Sequence, residues 1–224
     1  MGKRGPKPKK IIDVTWRSNL AYAIGLLATD GCLSKDGLLI DLTSKDTEQL
    51  LNFSKCLGIY LPISRKWNST GDECSRIQFK NRIFYDFLLS IGLTPRKSLT
   101  MGKLDIPDEY FFDFLRGSFD GDGCFYSYWD PRWRSSHMFY IQFVSASEKH
   151  ILWLQDEIKR KIGISGHIVQ DGQKIIFQLK YAKKEALVII KKMYYNPSVI
   201  CLFRKKLKIQ KALKIEIKQQ KKYK

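Results

Sequence analysis

The sequence is short of acid, of histidine and of long apolar runs. Only 22 Asp and Glu stand against 40 Lys and Arg, a formal net charge of +18 at pH 7. Self-repulsion of that size is relieved by a polyanion, so the composition points to a nucleic-acid partner. A ribosomal-type or non-specifically adhesive protein would share that feature. No apolar stretch approaches the roughly 18 residues of a membrane span, and no signal-peptide pattern is present. Nothing resembles an amphipathic anchor either, so no membrane partner and an intracellular location, compartment open, are expected. The five cysteines are scattered, and no pair has the C-x₂₋₄-C spacing of a zinc site. They read as reduced, mostly buried thiols and not as a disulfide frame.

What is present is apolar enough to fold. With 44% hydrophobic residues in 224, the chain can form one large domain or two of about 100 residues. Internal repetition favours two halves. The segment LAYAIGLLATDGC, Leu20–Cys32, returns as FDFLRGSFDGDGC, Phe112–Cys124. Placing Asp30 on Asp122 also superposes Gly25 on Gly117, Gly31 on Gly123 and Cys32 on Cys124.

The elements after each copy run in parallel. Strand-like runs at Leu38–Thr43, Leu61–Trp67 and Cys74–Lys80 enclose a helix that Asp46 or Thr47 can cap and Gly58 ends. A short helix over Arg82–Ser90 closes the first unit. In the second, strands near Phe125–Trp129, Met138–Ser145, Gly166–Gln170 and Lys174–Leu179 surround a helix capped by Ser147 and ended by Gly163, and Asp171-Gly172 has hairpin chemistry. A helix over Lys183–Tyr194 and a basic terminal helix follow, the latter able to pack through Ile209, Leu213 and Ile217. The expectation is an α+β fold of two pseudo-symmetric αββαββα halves. A basic arm spans 1–15, the first half 16–98, a linker 99–105, the second half 106–215 and a basic tail 216–224.

Ala21, Gly25 and Thr29 fall at i, i+4, i+8 on one helix, and Gly117 and Gly121 repeat the spacing on the other. Glycine inside a helix costs about 1 kcal/mol against alanine, so the two stripes need a packing reason: the helices touch backbone to backbone. Leu26, Leu27, Phe114, Leu115, Ser118 and Phe119 then face the core. Each helix ends at an acid, Asp30 or Asp122, before a glycine that can take positive φ and end the helix. Two acids at helix C-termini oppose the dipole and repel each other unless a divalent cation lies between them.

The segments AIGLLATDG, Ala23–Gly31, and LRGSFDGDG, Leu115–Gly123, resemble the LAGLIDADG homing endonucleases in their monomeric two-motif form, and the likeness covers nearly the whole chain. It departs at Ala28, where a carboxylate often sits; the second copy keeps Asp120. The resemblance implies a saddle of two antiparallel sheets over double-stranded DNA and metal-dependent cleavage at a long asymmetric site, leaving short 3′ overhangs. It implies Asp30 and Asp122 as catalytic metal ligands for Mg²⁺, with Mn²⁺ an alternative and Ca²⁺ binding without cleavage. It also implies basic helpers at Lys97 and Lys205. Some relatives carry a Gln after the second strand where this chain has Ser44 and Ala146, so that helper is not expected.

Strand alternation sets Arg76, Gln78 and Lys80 on the face opposite Ile77 and Phe79, and Gln178 and Lys180 match them in the second half. With Lys66, Asn68 and Gln142 they are candidate DNA contacts, as are Arg132 and Arg134 in a loop expected to be a flexible finger. The rival readings are an intron maturase that binds its own intron RNA and a DNA-binding regulator that does not cleave. Neither needs two acids converging on a phosphate.

Overall fold

The computed structural model describes residues 11–36, 38–67, 71–170, 172 and 176–222, the side chains of 220–222 excepted. The basic residues 1–10, Asn68 and Asp171 lie outside the described residues. In the first half, α1 (Ser18–Asp30) runs into β1 (Gly31–Leu33), then β2 (Leu39–Ser44), α2 (Thr47–Leu57), β3 (Ile63–Trp67), β4 (Glu73–Lys80) and α3 (Arg82–Ser90). In the second, α4 (Phe111–Gly121) leads to β5 (Cys124–Trp129), β6 (His137–Ser145), α5 (Glu148–Ile162), β7 (His167–Gln170), β8 (Phe177–Ala182) and α6 (Lys183–Met193). A terminal helix, α7 (Phe203–Lys222), follows. The strands form two four-stranded antiparallel sheets of the same topology, β1-β2-β4-β3 and β5-β6-β8-β7. The two pseudo-symmetric αββαββα halves expected from the repeat are present.

Glycine decides how the halves meet. A Cβ on Gly117 would lie 2.1 Å from the Tyr22 carbonyl oxygen, and one on Gly25 would lie 2.3 Å from that of Phe114. One on Gly121 would lie 1.9 Å from Thr29 Oγ1. The stripes therefore bring α1 and α4 into backbone contact, and the core runs unbroken through them. Leu20, Ile24, Leu26 and Leu27 of α1 and Phe114, Leu115 and Phe119 of α4 are fully buried. Arg116 is buried too, because its guanidinium donates to the carbonyls of Met193 (2.7 Å) and Ile200 (2.9 Å) and to Asp113 (2.7 Å). A buried cation so fully bonded is tolerable; one that lost a partner would not be.

Several local expectations are corrected. Gly58 and Gly163 do end α2 and α5 at positive φ. Gly31 does not: its φ is −82°, and it is glycine because a Cβ would meet the Leu27 carbonyl oxygen at 2.6 Å. Gly123 is likewise absent from the positive-φ glycines, and its Cβ would meet Phe119 Cα at 2.6 Å. The chain doubles back against the last helical turn, so close approach sets the requirement. Asp46 and Ser147 precede their helices without side-chain caps: Asp46 binds Arg204, and the Ser147 hydroxyl donates to the Met101 carbonyl.

Strand β8 runs past its expected end at Leu179 to Ala182, because the inward alternation of Phe177 and Leu179 continues to fully buried Tyr181, paired with Ile141, while residues 173–175 lie outside the described residues. Helix α7 packs through Lys205, Ile209 and Ala212, leaving Ile217 54% exposed. The cysteines are free, but only Cys56 and Cys74 are buried; Cys32 is exposed, on an alternating strand face turned to solvent. Among the described residues no helix is long and apolar enough to cross a membrane.

Gly117→Ala should destabilise the protein by about 3 kcal/mol, since neither backbone can yield locally. Gly102→Ala, where a Cβ would meet nothing within 4 Å, should change stability by less than about 0.5 kcal/mol. Denaturant unfolding of both variants checks the contrast; equal effects would mean that the helices separate freely.

Candidate metal and nucleic-acid site

Asp30 is the last residue of α1 and Asp122 directly follows α4, so the glycine contact that joins the helices also brings their acidic ends together. Asp30 is half-buried, and Asp122 reaches solvent from a dense surround. Burial first, and then the charge of Asp122, pushes the Asp30 carboxyl up to about 6, against the opposing pull of Gln49, Lys205 and Lys97. Desolvation also raises Asp122, offset by Lys97 and Lys205.

Two carboxylates that each raise the free energy of the other's charged form suit a hard divalent cation. Among the described residues no group of three or more His, Cys, Asp and Glu gathers. A cation at these acids would therefore complete its shell with carbonyls, water or phosphate oxygens.

The two lysines are brought to the same place. Lys97 donates to the Thr29 carbonyl at 2.9 Å, one residue before Asp30. Lys205 donates to Gly121 at 2.9 Å, one residue before Asp122, and also to Phe119 at 2.6 Å and Gly123 at 2.7 Å. Both are buried, and burial lowers both pKa values. All three Nζ hydrogens of Lys205 are thus engaged with the open carbonyls at the end of α4. Its observed work is to close that helix and lend positive charge to Asp122.

Sequence reasoning missed Gln49. Its amide donates to Asp30 Oδ2 at 2.5 Å, while its own carbonyl accepts from Ser44 Oγ at 3.0 Å. The amide beside Asp30 comes from one helical turn into α2 and not from position 44. Among the described residues no side-chain amide donates to Asp122 in the second half. Ser44 and Ser145 accept the N–H of Asp46 and Ser147 in the same way, and His150 stands five residues past Ser145, where Gln49 stands past Ser44. His150 is held through Nδ1 to the Gly102 carbonyl at 2.9 Å, and burial lowers its pKa to about 4. A cleft of about 190 Å³ opens there, lined by Asp122, Lys97, Ser145 and His150 among others.

Asp120 is unlike Asp122. Fully buried, it accepts from Tyr22 Oη (2.8 Å) and the Leu202 N–H (2.7 Å), and burial raises it to about 6. Two positions apart on a helix, the two acids face opposite ways.

The candidate DNA contacts lie on the open faces of the sheets. Lys66, Arg76, Gln78 and Lys80 share one face of the first sheet. They surround Asp41, also missed, which accepts from Gln78 at 3.2 Å and lies 3.7 Å from Arg76. Gln142 and Lys180 are cross-strand partners on the second sheet, and Gln178 lies on the same face. Arg132 and Arg134 are exposed at the end of the β5–β6 hairpin. This end is shorter than expected, because Trp129 pairs with His137 and Asp130 N–H donates to Ser136. Arg132 there is ion-paired to Asp130 at 3.3 Å.

No family model and no curated protein matches the chain by sequence. Solved structures do match its fold. The homing endonuclease I-WcaI bound to its DNA recognition sequence superposes with a TM-score of 0.58 at 15% identity, over 88% of this chain and 91% of that one. Meganuclease I-SmaMI bound to uncleaveable DNA gives 0.59 at 13% identity, over 88% and 90%. The N-terminal LAGLIDADG domain of DUF199/WhiA gives 0.52 at 15%, over 83% and 86%. The architecture is thus the LAGLIDADG homing-endonuclease fold.

The raised pKa of Asp30 fixes a sign. The folded state holds its proton more tightly than the unfolded chain, so this residue destabilises the metal-free protein above pH 6, and stability returns as pH falls from 6 to 4. Asp30→Asn should therefore stabilise the metal-free protein at pH 7.5 by on the order of 2 kcal/mol, with the gain vanishing near pH 4. Thermal unfolding across that range is the measurement, and a pH-independent difference would contradict an origin in the buried charge of Asp30.

Proposed function

We propose that this chain is a site-specific, metal-dependent double-strand DNA endonuclease that cuts a long asymmetric target and leaves short 3′ overhangs. One observation carries the reading. In a strongly basic molecule with two strand faces turned to solvent, the glycine contact of α1 and α4 delivers Asp30 and Asp122 to the same spot. Like charges placed together at helix C-termini are unfavourable for folding alone and suited to a phosphodiester with its cation. The DNA-bound endonucleases of the same fold agree with this reading.

Asp30 and Asp122 would hold Mg²⁺, for which Mn²⁺ would substitute and Ca²⁺ would bind without turnover. The cation's chemistry is Lewis-acid stabilisation of charge on the attacking and leaving oxygens. The chain's own residues do the rest. Gln49 fixes the Asp30 carboxylate plane by its hydrogen bond to Oδ2. Lys97 and Lys205 hold the helix ends in register through the carbonyls beside each acid, and their charges favour the ionised carboxylates. The role of Lys205 is then electrostatic and positional, since all three of its N–H groups are held by backbone carbonyls, whereas Lys97 has one such bond.

Lys66, Arg76, Gln78, Lys80, Gln142, Gln178 and Lys180 would meet base edges and phosphates, with Arg132 and Arg134 at the periphery. Both halves lie in one chain and differ in sequence, so a monomer would suffice and its target would be asymmetric.

Incubation with a randomised duplex library in Mg²⁺ should give cuts at one long asymmetric motif. Asp122→Asn should lower the rate at least about a thousandfold while binding in Ca²⁺ persists. Binding without scission by the unaltered protein would favour the regulator, and preference for structured RNA would favour the maturase.

A further inference from the structure

The solvent faces of the two sheets differ in chemistry. The first sets Lys66, Arg76, Gln78 and Lys80 about Asp41. The second, beyond Gln142 and Lys180, turns aromatic. Tyr126 and Tyr140 are cross-strand partners with rings 5.2 Å apart and 14° from parallel. Tyr128 stacks on Tyr140 at 6.3 Å and 6°. Met138 pairs with Tyr128 on the same face, and Tyr126 and Tyr128 are 37% and 41% exposed. Alongside β5, exposed Lys208 and Lys211 of α7 line a hollow of about 310 Å³ with Phe125, Tyr126 and Ser127.

We propose that Tyr126, Tyr128, Tyr140 and Met138 read thymine methyl groups in the outer part of one half-site, while Lys208 and Lys211 hold the adjacent phosphate backbone. This rests on the reading of the chain as a duplex-DNA endonuclease and adds the base class recognised. In the major groove every base pair offers polar atoms, and thymine alone adds an apolar group. The ring edges and the thioether gain from that group, while the phenol hydroxyls of Tyr128 and Tyr140 are hydrogen-bonded to each other. The lysines supply the charge complementarity that an aromatic wall lacks.

Duplex is favoured over single strands because stacking of unpaired bases needs free ring faces, and those of Tyr140 are occupied by its neighbours. Tyr126 and Tyr128 stand two and four residues past Cys124, about 7 and 13 Å at a strand's rise. The T-rich stretch should therefore begin roughly two base pairs out from the end of β5 next to Asp122.

Duplexes selected in Ca²⁺ from a randomised library provide the probe. One outer half-site should be enriched in thymine and the other not. Deoxyuridine in place of those thymines should weaken binding by the unaltered protein about fourfold per methyl removed. It should leave a Tyr128→Ala/Tyr140→Ala variant unaffected, and deoxyuridine in the other half-site should affect neither protein. Because both tyrosines lie on the solvent face, a circular-dichroism melt matching the parent keeps the comparison valid; if the double variant melts early, Tyr128→Gln with Met138→Gln takes its place. Indifference of the parent protein to uracil overturns the inference, as does tighter binding to single-stranded RNA of the same length. Enrichment of a specific duplex without thymine there sinks this inference alone, whereas enrichment of no duplex sinks the endonuclease reading with it.

Discussion

Everything in this molecule depends on the closeness of two helix backbones. Gly25, Gly117 and Gly121 leave no room for a Cβ between α1 and α4, and the acids stand where those helices end. Packing and site are therefore one interaction. The sheets flank it, and the terminal segment ties across it. Asn52 donates to Cys201, the Phe203 N–H donates to Glu48, and Arg204 pairs with Asp46, so α2 of one half is bound to the chain leading into α7 behind the other. These links add side-chain bonds between the two halves to the backbone contact of the helix pair.

The same closeness concentrates ionisable groups that folding alone would avoid. Asp30 and Asp120 are both raised to about 6, while Lys97 and Lys205 are lowered, each chiefly by burial. The surroundings divide these groups by function. Arg116 and Lys205 are bonded on most sides by backbone and partner side chains, as structural ions must be, while Asp120 accepts two bonds at Oδ2 and its buried Oδ1 has no partner among the described residues. Asp122 is left open to solvent, and Asp30 meets only one amide donor. An acid left open beside another acid lowers the stability of the metal-free fold, and that is the pair the proposed function uses.

The fold was largely legible because its main signals are local and repeated. Glycines at i, i+4 predict a helix contact without knowledge of anything else in the chain, and apolar alternation predicts Ile77 and Phe79 inward with Gln78 outward. The candidate site could be approached only as far as the repeat and the family resemblance carried it, to Asp30, Asp122 and the two lysines that the structure places beside them. Gln49 escaped because its relation to Asp30 is a matter of helix orientation, not of spacing after a strand. Asp41 escaped because one acid among cations on a strand has no sequence signature; its partners Gln78 and Arg76 lie on the neighbouring strand. The reason for Gly31 was misread for a similar cause: positive φ and steric closeness both demand glycine, and only coordinates separate them.

Duplication made the site findable, yet it does not make its two ends alike. Around Asp30 an amide occupies the space beside the carboxylate and is itself held by Ser44. Around Asp122 the corresponding residue is a histidine drawn off to the Gly102 carbonyl, and a cleft remains. Because a carbonyl only accepts, the His150 ring carries its proton on Nδ1 and keeps a lone pair on Nε2, and its lowered pKa keeps it neutral at physiological pH. One acid is thus oriented by a donor and the other adjoins a neutral acceptor and open volume. The two acids thus differ in the groups beside them, as the two sheet faces differ, while the glycine contact of α1 and α4 is made by both halves alike.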